Sequence, residues 1–197
     1  MFCIKYMDNI IIHISGASGS GKTTLGDRLK TIFKNKIVVK DLDNLRDEFI
    51  QYFYGEKKWT FIDENEYQNY IDNFIKKNKK PIIFVGLNDN TIYGKNKKLY
   101  YNLYSQHNYY IELQDEIVLK QKCLRLLNDV QNDESAMDYL INKNKEFIKL
   151  FTGAIKRDCD IKNTVKMNNK WKKDYKKQNY KFLSRDNIFK DIVKLLQ

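Results

Sequence analysis

The sequence has 197 residues, which is long enough for one domain with a full hydrophobic core and short for two. Its composition, 42% hydrophobic and 14% aromatic, is typical of a folded globular protein and excludes a mostly disordered chain. No apolar run approaches the roughly 20 residues that span a bilayer, so we expect no membrane partner.

The three cysteines, Cys3, Cys123 and Cys159, lie far apart and form no C-x-x-C pair. An odd, scattered set indicates free thiols in a reducing compartment rather than a disulfide framework or a zinc site. We therefore expect a soluble, cytoplasmic protein.

The formal net charge of +11 has two interpretations. Lys, Asn, Ile and Tyr are abundant throughout while Pro and Gly are scarce, and such a compositional bias raises Lys everywhere without any functional patch. Residues 162–181 are the exception, because "KWKKDYKKQNYK" mixes Lys with Trp171, Tyr175 and Tyr180. Such a mixture can bind phosphates and stack on bases, so a nucleic-acid partner stays open.

In chain order, the apolar periodicity first predicts a buried strand at 10–15 and a helix at 22–33. The inner face of this helix carries Leu25, Leu29, Ile32 and Phe33. His13 lies inside the first strand and is expected in the core. A second short strand, "KIVVK", precedes a helix that Asp43 or Asn44 caps and Gly55 ends.

The rest of the chain continues the alternation of strands and helices. The pattern predicts a helix at 64–78, strands at 81–86 and 109–113, helices at 115–130 and 135–151, and a short element before a last amphipathic helix with Ile188, Ile192 and Leu195 inward. It therefore favours a single α/β domain over 1–197, with a mostly parallel sheet of about five strands flanked by helices. Ligands of such sheets bind beyond the carboxyl ends of the strands.

A glycine-rich loop leaves the first strand at that edge. The sequence Gly16-Ala17-Ser18-Gly19-Ser20-Gly21-Lys22-Thr23, followed by Thr24, fits G-x-x-x-x-G-K-[ST] at every fixed position. The loop amides and the start of the helix suit phosphates, Lys22 supplies a positive charge to them, and Thr23 supplies a hydroxyl ligand for Mg²⁺. We expect these residues to bind a nucleoside triphosphate, ATP or GTP.

The end of the second strand adds acidic residues to the same edge. Asp41 can accept a proton from an acceptor hydroxyl or help to hold Mg²⁺, and Asp43 and Arg46 can contact the acceptor. The alternative is that Asp43 only caps a helix and Arg46 is a solvated surface residue.

These stretches resemble the P-loop small-molecule kinases, the group of nucleoside and nucleoside-monophosphate kinases. The glycine loop is similar to that of uridine kinases, and "DLDNLR" (41–46) resembles the D-G-D-N-x-R stretch of adenylylsulfate kinases, with Leu42 in place of the glycine. The segment "YYIELQDEIVLKQKCLRLLND" resembles the strand and helix that enter the lid, with Arg125 near a lid-arginine position. The resemblance implies the P-loop NTPase fold, ATP and Mg²⁺ as cofactors, and a helical lid at about 130–157.

Arginine is rare among the 36 basic residues, so each of the five is a candidate for a geometric role. Arg28 is expected on the outer face of its helix and Arg185 near the start of the last helix. Arg46, Arg125 and Arg157 are candidates for the acceptor and the transferred phosphoryl group, with a plain surface role as the alternative for Arg157.

The third strand departs from the kinase pattern, because Val85 stands where an acid that holds the metal is expected. Either Asp89 reaches the metal, or Asp41 and Asp43 hold it, or the chain is a degenerate nucleotide binder.

We therefore expect an ATP-dependent kinase, with Lys22, Asp41 and Arg125 as catalytic residues. Its acceptor is a nucleoside, a nucleotide or a related small molecule. Two alternatives stay open: a polynucleotide 5′-hydroxyl kinase that uses the basic tail, and a non-catalytic ATP-binding or nucleotide-sensing protein.

Overall fold

The computed structural model describes residues 9–55, 63–91, 98–132, 138 and 140–197. The chain divides into two compact units: the first contains Met1–Gly16, Lys22–Ile111 and Tyr180–Gln197, and the second Ala17–Gly21 and Glu112–Asn179. The single domain over 1–197 stays a prediction from the sequence.

The strands all belong to the first unit. They are β1 Ile11–Gly16, β2 Val38–Asp41, β3 Ile82–Val85, β4 Asp89–Thr91, β5 Lys98–Tyr100, β6 His107–Ile111 and β7 Lys181–Leu183. Five of them form a sheet in the order β2-β3-β1-β6-β7, and every neighbouring pair in it is parallel. This sheet confirms the predicted α/β class. The short antiparallel pair of β4 and β5 was not predicted.

The helices lie between and after these strands along the chain. They are α1 Lys22–Phe33, α2 Leu42–Tyr54, α3 Glu64–Lys77, α4 Asp115–Asn132, α5 Asn144–Asp158, α6 Ile161–Lys177 and α7 Arg185–Leu196, with a 3₁₀ turn at Lys34–Lys36. No helix within the described residues is long and apolar enough to cross a membrane.

The main core cluster of the first unit joins the sheet to α2 and α3. Ile11, Ile82 and Phe84 from the strands are fully buried against Phe49 and Ile71 from the helices. Each such side chain stabilises the fold by about 1.5–3 kcal/mol relative to exposure. β1 lies between two other strands of the sheet. This position explains why its isoleucines do not alternate regularly with polar residues along the strand.

A close contact sets the position of α1 against the sheet. A Cβ on Gly26 would lie 2.9 Å from Cγ1 of Val39 on β2 and 3.2 Å from Cγ1 of Val85 on β3. The missing side chain therefore lets the helix approach both strands. Leu25, Leu29 and Phe33 are buried as predicted, but Ile32, beside this row, is 53% exposed, so its predicted inward position was wrong.

In the second unit, α4, α5 and α6 pack against one another, and Ala17–Gly21 form a loop. The helix predicted at 115–130 is confirmed as α4. Of the helix predicted at 135–151, residues 138 and 140–142 are helical, Lys143 interrupts it, and residues 144–151 belong to α5. The backbone leaves the helical region at Lys143 (φ −136°, ψ 48°), so α5 starts at Asn144 and continues to residue 158. Residues 133–137 and 139 lie outside the described part of the chain.

Gly26 and Gly153 give a matched test of this packing, because both lie inside helices and only Gly26 has close neighbours. Gly26→Ala gains helix propensity but forces a Cβ against Val39, so we expect a net loss of about 1–3 kcal/mol of unfolding free energy. Gly153→Ala has open space around its Cβ and should gain about 0.5–1 kcal/mol. Urea denaturation measures both, and equal effects of the two substitutions would contradict the close packing of α1.

Candidate phosphate-binding site

The loop that follows β1 has the backbone of a tight glycine turn. Gly19 and Gly21 have φ angles of +79° and +83°, which side chains other than glycine rarely adopt. Between them, the amide of Ser20 donates to the carbonyl of Ala17 at 3.0 Å. α1 then starts at Lys22 with no acidic residue in its first turn, so no carboxylate there offsets the positive end of its dipole.

Three side chains of this stretch carry groups that suit an anion. The ammonium of Lys22 donates to the carbonyl of Gly16 at 2.9 Å, so it lies at the start of the loop. The hydroxyls of Ser15 and Ser20 are buried and have no hydrogen-bond partner among the described residues. Buried hydroxyls without partners are unusual in proteins and are often satisfied by a ligand or water.

The structure brings together Thr23 and Asp41, which are 18 positions apart in sequence. The hydroxyl of Thr23 donates to Oδ2 of Asp41 at 3.1 Å. Oδ1 of the same carboxylate accepts from the amide of Asp43 at 2.9 Å, so Asp41 is the N-cap of α2. The prediction that Asp43 or Asn44 caps this helix was wrong: Asp41 still has extended backbone angles (φ −75°, ψ 132°), and the helix begins directly after it.

The same carboxylate lies beside the valine at the end of β3. Asp41 is the register partner of Val85, so the two residues sit side by side on neighbouring strands, about 4.8 Å apart. The side chain of Val85 is buried and faces Gly26 of α1. An acidic residue is therefore present at this sheet edge on β2, beside the valine on β3. Asp89 begins β4, and its side chain lies outside the described part of the structure.

Asp43, Arg46 and Asp47 form an ion-pair cluster in the first two turns of α2. The guanidinium of Arg46 lies 3.1 Å from Oδ1 of Asp43 and 3.4 Å from Oδ1 of Asp47. The Arg46 side chain is 20% exposed, whereas Asp43 is 68% exposed and open to a ligand. Two carboxylates and one guanidinium leave this cluster with a formal charge of −1.

Tyr67 on α3 is a neighbour of this cluster that the sequence did not indicate. Its side chain is fully buried, and its hydroxyl has no hydrogen-bond partner among the described residues. Burial raises the pKa of this phenol, while the charge of Arg46 acts in the opposite direction. In sequence, Tyr67 occupies an ordinary apolar position of an amphipathic helix, so only the fold distinguishes it.

The other four arginines lie on helices α1, α4, α5 and α7. Arg125 lies on α4 in the second unit, 69% exposed, and its Nε is 3.6 Å from Oδ2 of Asp129. Arg157 is exposed near the end of α5. Arg28 is exposed as predicted, with its guanidinium 3.3 Å from Asp186 and stacked 3.8 Å above the ring of Phe189. Arg185 is the first residue of α7, also as predicted.

His13 is a core residue, which confirms its prediction. Its Nε2 donates to the carbonyl of Gly86 at 3.0 Å, so Nδ1 is left to accept from the hydroxyl of Tyr180 at 2.5 Å. Burial, opposed by the Gly86 contact and aided by the charge of Lys22, lowers the pKa of His13 to about 4. The neutral imidazole therefore links Gly86, directly after β3, to Tyr180, directly before β7, by two hydrogen bonds.

No protein-family model matches the sequence, and no match was found among curated proteins. Among solved structures, an uncharacterized protein from Eubacterium ventriosum is 14% identical with a TM-score of 0.44, the match covering 95% of this chain and 98% of that one. A tRNA delta(2)-isopentenylpyrophosphate transferase from Staphylococcus epidermidis is 13% identical, with a TM-score of 0.47 and coverage of 96% and 99%. Shikimate kinase from Acinetobacter baumannii in complex with shikimate is 12% identical, with a TM-score of 0.39 and coverage of 96% and 93%. These identities and scores are too low to transfer an activity.

The lowered pKa of His13 predicts a pH dependence of stability. The unfolded chain takes up a proton near the ordinary pKa of 6.5, but the folded chain does so only near 4, so the unfolding free energy falls as the pH drops through this window. The loss attributable to His13 is at most about 3 kcal/mol.

His13→Gln is the matched variant, because its amide keeps one donor and one acceptor but does not titrate. Urea denaturation at pH 7 and pH 4.5 should show a larger loss in the natural chain than in this variant. Identical losses would show that His13 does not remain neutral in the fold.

Proposed function

We propose that this chain is an ATP-dependent phosphotransferase that moves the γ-phosphate of ATP to the hydroxyl of a small acceptor. The observation that carries the proposal is the hydrogen bond between Thr23 and Asp41. It joins the hydroxyl of the residue after the loop lysine to a carboxylate at the end of β2.

The residues of the glycine loop fit a triphosphate. In the proposal, the amides of residues 16–24 and the ammonium of Lys22 bind the phosphate oxygens. The buried hydroxyl of Ser20 is a further donor that has no protein partner among the described residues. Gly19 and Gly21 provide the backbone angles that such a turn requires.

The Thr23–Asp41 pair fits Mg²⁺. This ion prefers oxygen ligands and is usually held by one or two carboxylates together with substrate phosphates and water, so it needs no cluster of three acidic residues. Bound Mg²⁺ supplies neutralisation of the charge on the phosphates. The role of Asp41 that this geometry supports best is that of metal ligand, since its two oxygens already contact Thr23 and the amide of Asp43.

The acceptor is proposed to bind at Asp43 and Arg46. In this proposal, Asp43 orients the acceptor hydroxyl and takes its proton as the oxygen attacks the γ-phosphorus of ATP, whose bond to the bridging oxygen breaks to release ADP. Arg46 fixes the Asp43 carboxylate by their ion pair. The formal charge of −1 on the Asp43, Arg46 and Asp47 cluster favours an uncharged, hydroxyl-bearing acceptor such as a nucleoside over a nucleotide. Arg125 and the lid at 130–157 enter only through the resemblance to kinases.

Asp41→Asn separates chemistry from folding, because Asn caps a helix nearly as well as Asp but loses the charge. We expect transfer of labelled phosphate from Mg²⁺-ATP to a nucleoside. In the variant, kcat/KM should fall by about 10²–10³-fold, the range seen when one charge-stabilising group is removed. The unfolding free energy should stay within about 0.5 kcal/mol. The matched control is Asp27→Asn, which alters an exposed carboxylate on α1.

The screen covers nucleosides, nucleoside monophosphates and adenylylsulfate. Tight ATP binding without a phosphorylated product from any of them would contradict the phosphotransferase and favour a nucleotide-sensing protein. Unchanged transfer by Asp41→Asn would contradict the proposed role of Asp41 alone.

A further inference from the structure

α6 carries a row of lysines along one face, and this feature has no part in the proposed phosphotransfer. We define the lysine row as Lys162, Lys166, Lys170, Lys173 and Lys177, all of which are exposed. Their spacing of four, four, three and four residues places them within an arc of about 80°. The row extends over about 22 Å, at about 1.5 Å per residue.

The opposite face of α6 is fixed inside the second unit. Thr164, Asn168 and Tyr175 are buried there, and α6 packs against α4 and α5. The side-chain amide of Asn168 also donates to the carboxylate of Asp115 at the start of α4. Because these contacts fix the rotation of the helix, the lysine row faces outward as a consequence of packing.

The tyrosines of the basic tail do not share this face, and Trp171 is half-buried and lies outside the arc of the row. Tyr175 is 1% exposed and Tyr180 is 8% exposed, with the hydroxyl of Tyr180 hydrogen-bonded to His13. The expectation that these two tyrosines stack on bases was therefore wrong, since both rings are used in packing. Within the arc of the lysine row, the exposed side chains of α6 are lysines.

We propose that the lysine row binds the phosphodiester backbone of a nucleic acid, without recognition of its sequence. A duplex presents a phosphate about every 3.4 Å along each strand, so about six phosphates of one strand lie within the length of the row. Five ammonium groups along one line match this linear distribution of negative charge.

An anionic membrane is the other polyanion to consider, and the composition of the face argues against it. The residues that flank this arc are Asn163 on one side and Asn169 and Lys176 on the other, and all three are polar. A helix that lies on a membrane inserts an apolar face, whereas the apolar residues of α6 lie outside the arc of the lysine row. Tyr175 is buried, Val165, Met167 and Trp171 are half-buried, and Ile161 is 39% exposed. Asp174 lies at the edge of the row and is half-buried.

The salt dependence of binding tests this proposal. Fluorescence anisotropy with a labelled 20-base-pair duplex should give a slope of log K against log salt near −4.5, which is about −0.9 for each of five contacts. Between 50 and 200 mM salt the affinity should therefore fall roughly 500-fold. A 20-nucleotide single strand should give a slope near −3.5.

The test variant replaces Lys166, Lys170 and Lys173 by Gln, which keeps helix propensity and removes three contacts. Its slope on the duplex should fall to about −1.8. The control replaces Lys30, Lys79 and Lys190 by Gln, three exposed lysines of the first unit, with the same change in net charge. The control should keep most of the slope. Both variants should melt cooperatively near the natural chain and retain its affinity for ATP.

Three results would overturn the proposal. The first is an equal loss in both triple variants, which would assign binding to the overall charge. The second is the absence of binding to either oligonucleotide at 50 mM salt. The third is binding to vesicles that contain phosphatidylserine, lost in the test variant, without binding to the oligonucleotides.

Discussion

The register of β2 against β3 is the constraint on which the candidate site depends. Because the strands are parallel and Asp41 pairs with Val85, the carboxylate of Asp41 lies at the edge of the sheet where α1 begins. Gly26 lets α1 approach both strands, and the hydroxyl of Thr23 then reaches Asp41 at 3.1 Å. A shift of one residue in this register would turn the carboxylate to the other face of the sheet and separate the pair.

Asp41 has a role in folding and a role in the proposed chemistry, and each role uses a different oxygen of its carboxylate. One oxygen caps α2, a contact that typically contributes about 1 kcal/mol, and the other faces Thr23. The neutral imidazole of His13 donates a hydrogen bond to the carbonyl of Gly86, the residue that follows Val85. The strand end beside the carboxylate is therefore fixed by a buried side chain that carries no charge at neutral pH.

Local features of the sequence were sufficient to predict much of the fold but less of the candidate site. The strand, loop and helix over 10–33 were predictable because each is encoded within a few residues. The sequence did not predict Asp41 as the N-cap of α2. The backbone angles at the end of β2 determine which residue caps the helix, and the sequence pattern does not reveal them. Tyr67 and the buried face of α6 follow from long-range packing, which periodicity in one segment does not reveal. The division into two units likewise depends on contacts between distant segments.

A double-mutant cycle on Thr23 and Asp41 tests the central claim that this pair holds the metal of a nucleotide complex. The affinity for a non-hydrolysable ATP analogue is measured for the natural chain, Thr23→Val, Asp41→Asn and the double variant, with Mg²⁺ and again with EDTA. Thr23→Ser, which keeps the hydroxyl, is the control. We predict that with Mg²⁺ the second substitution adds little to the first, with a coupling of at least about 1.4 kcal/mol, or tenfold, that disappears in EDTA. Additive losses with Mg²⁺, or equal coupling in EDTA, would contradict it.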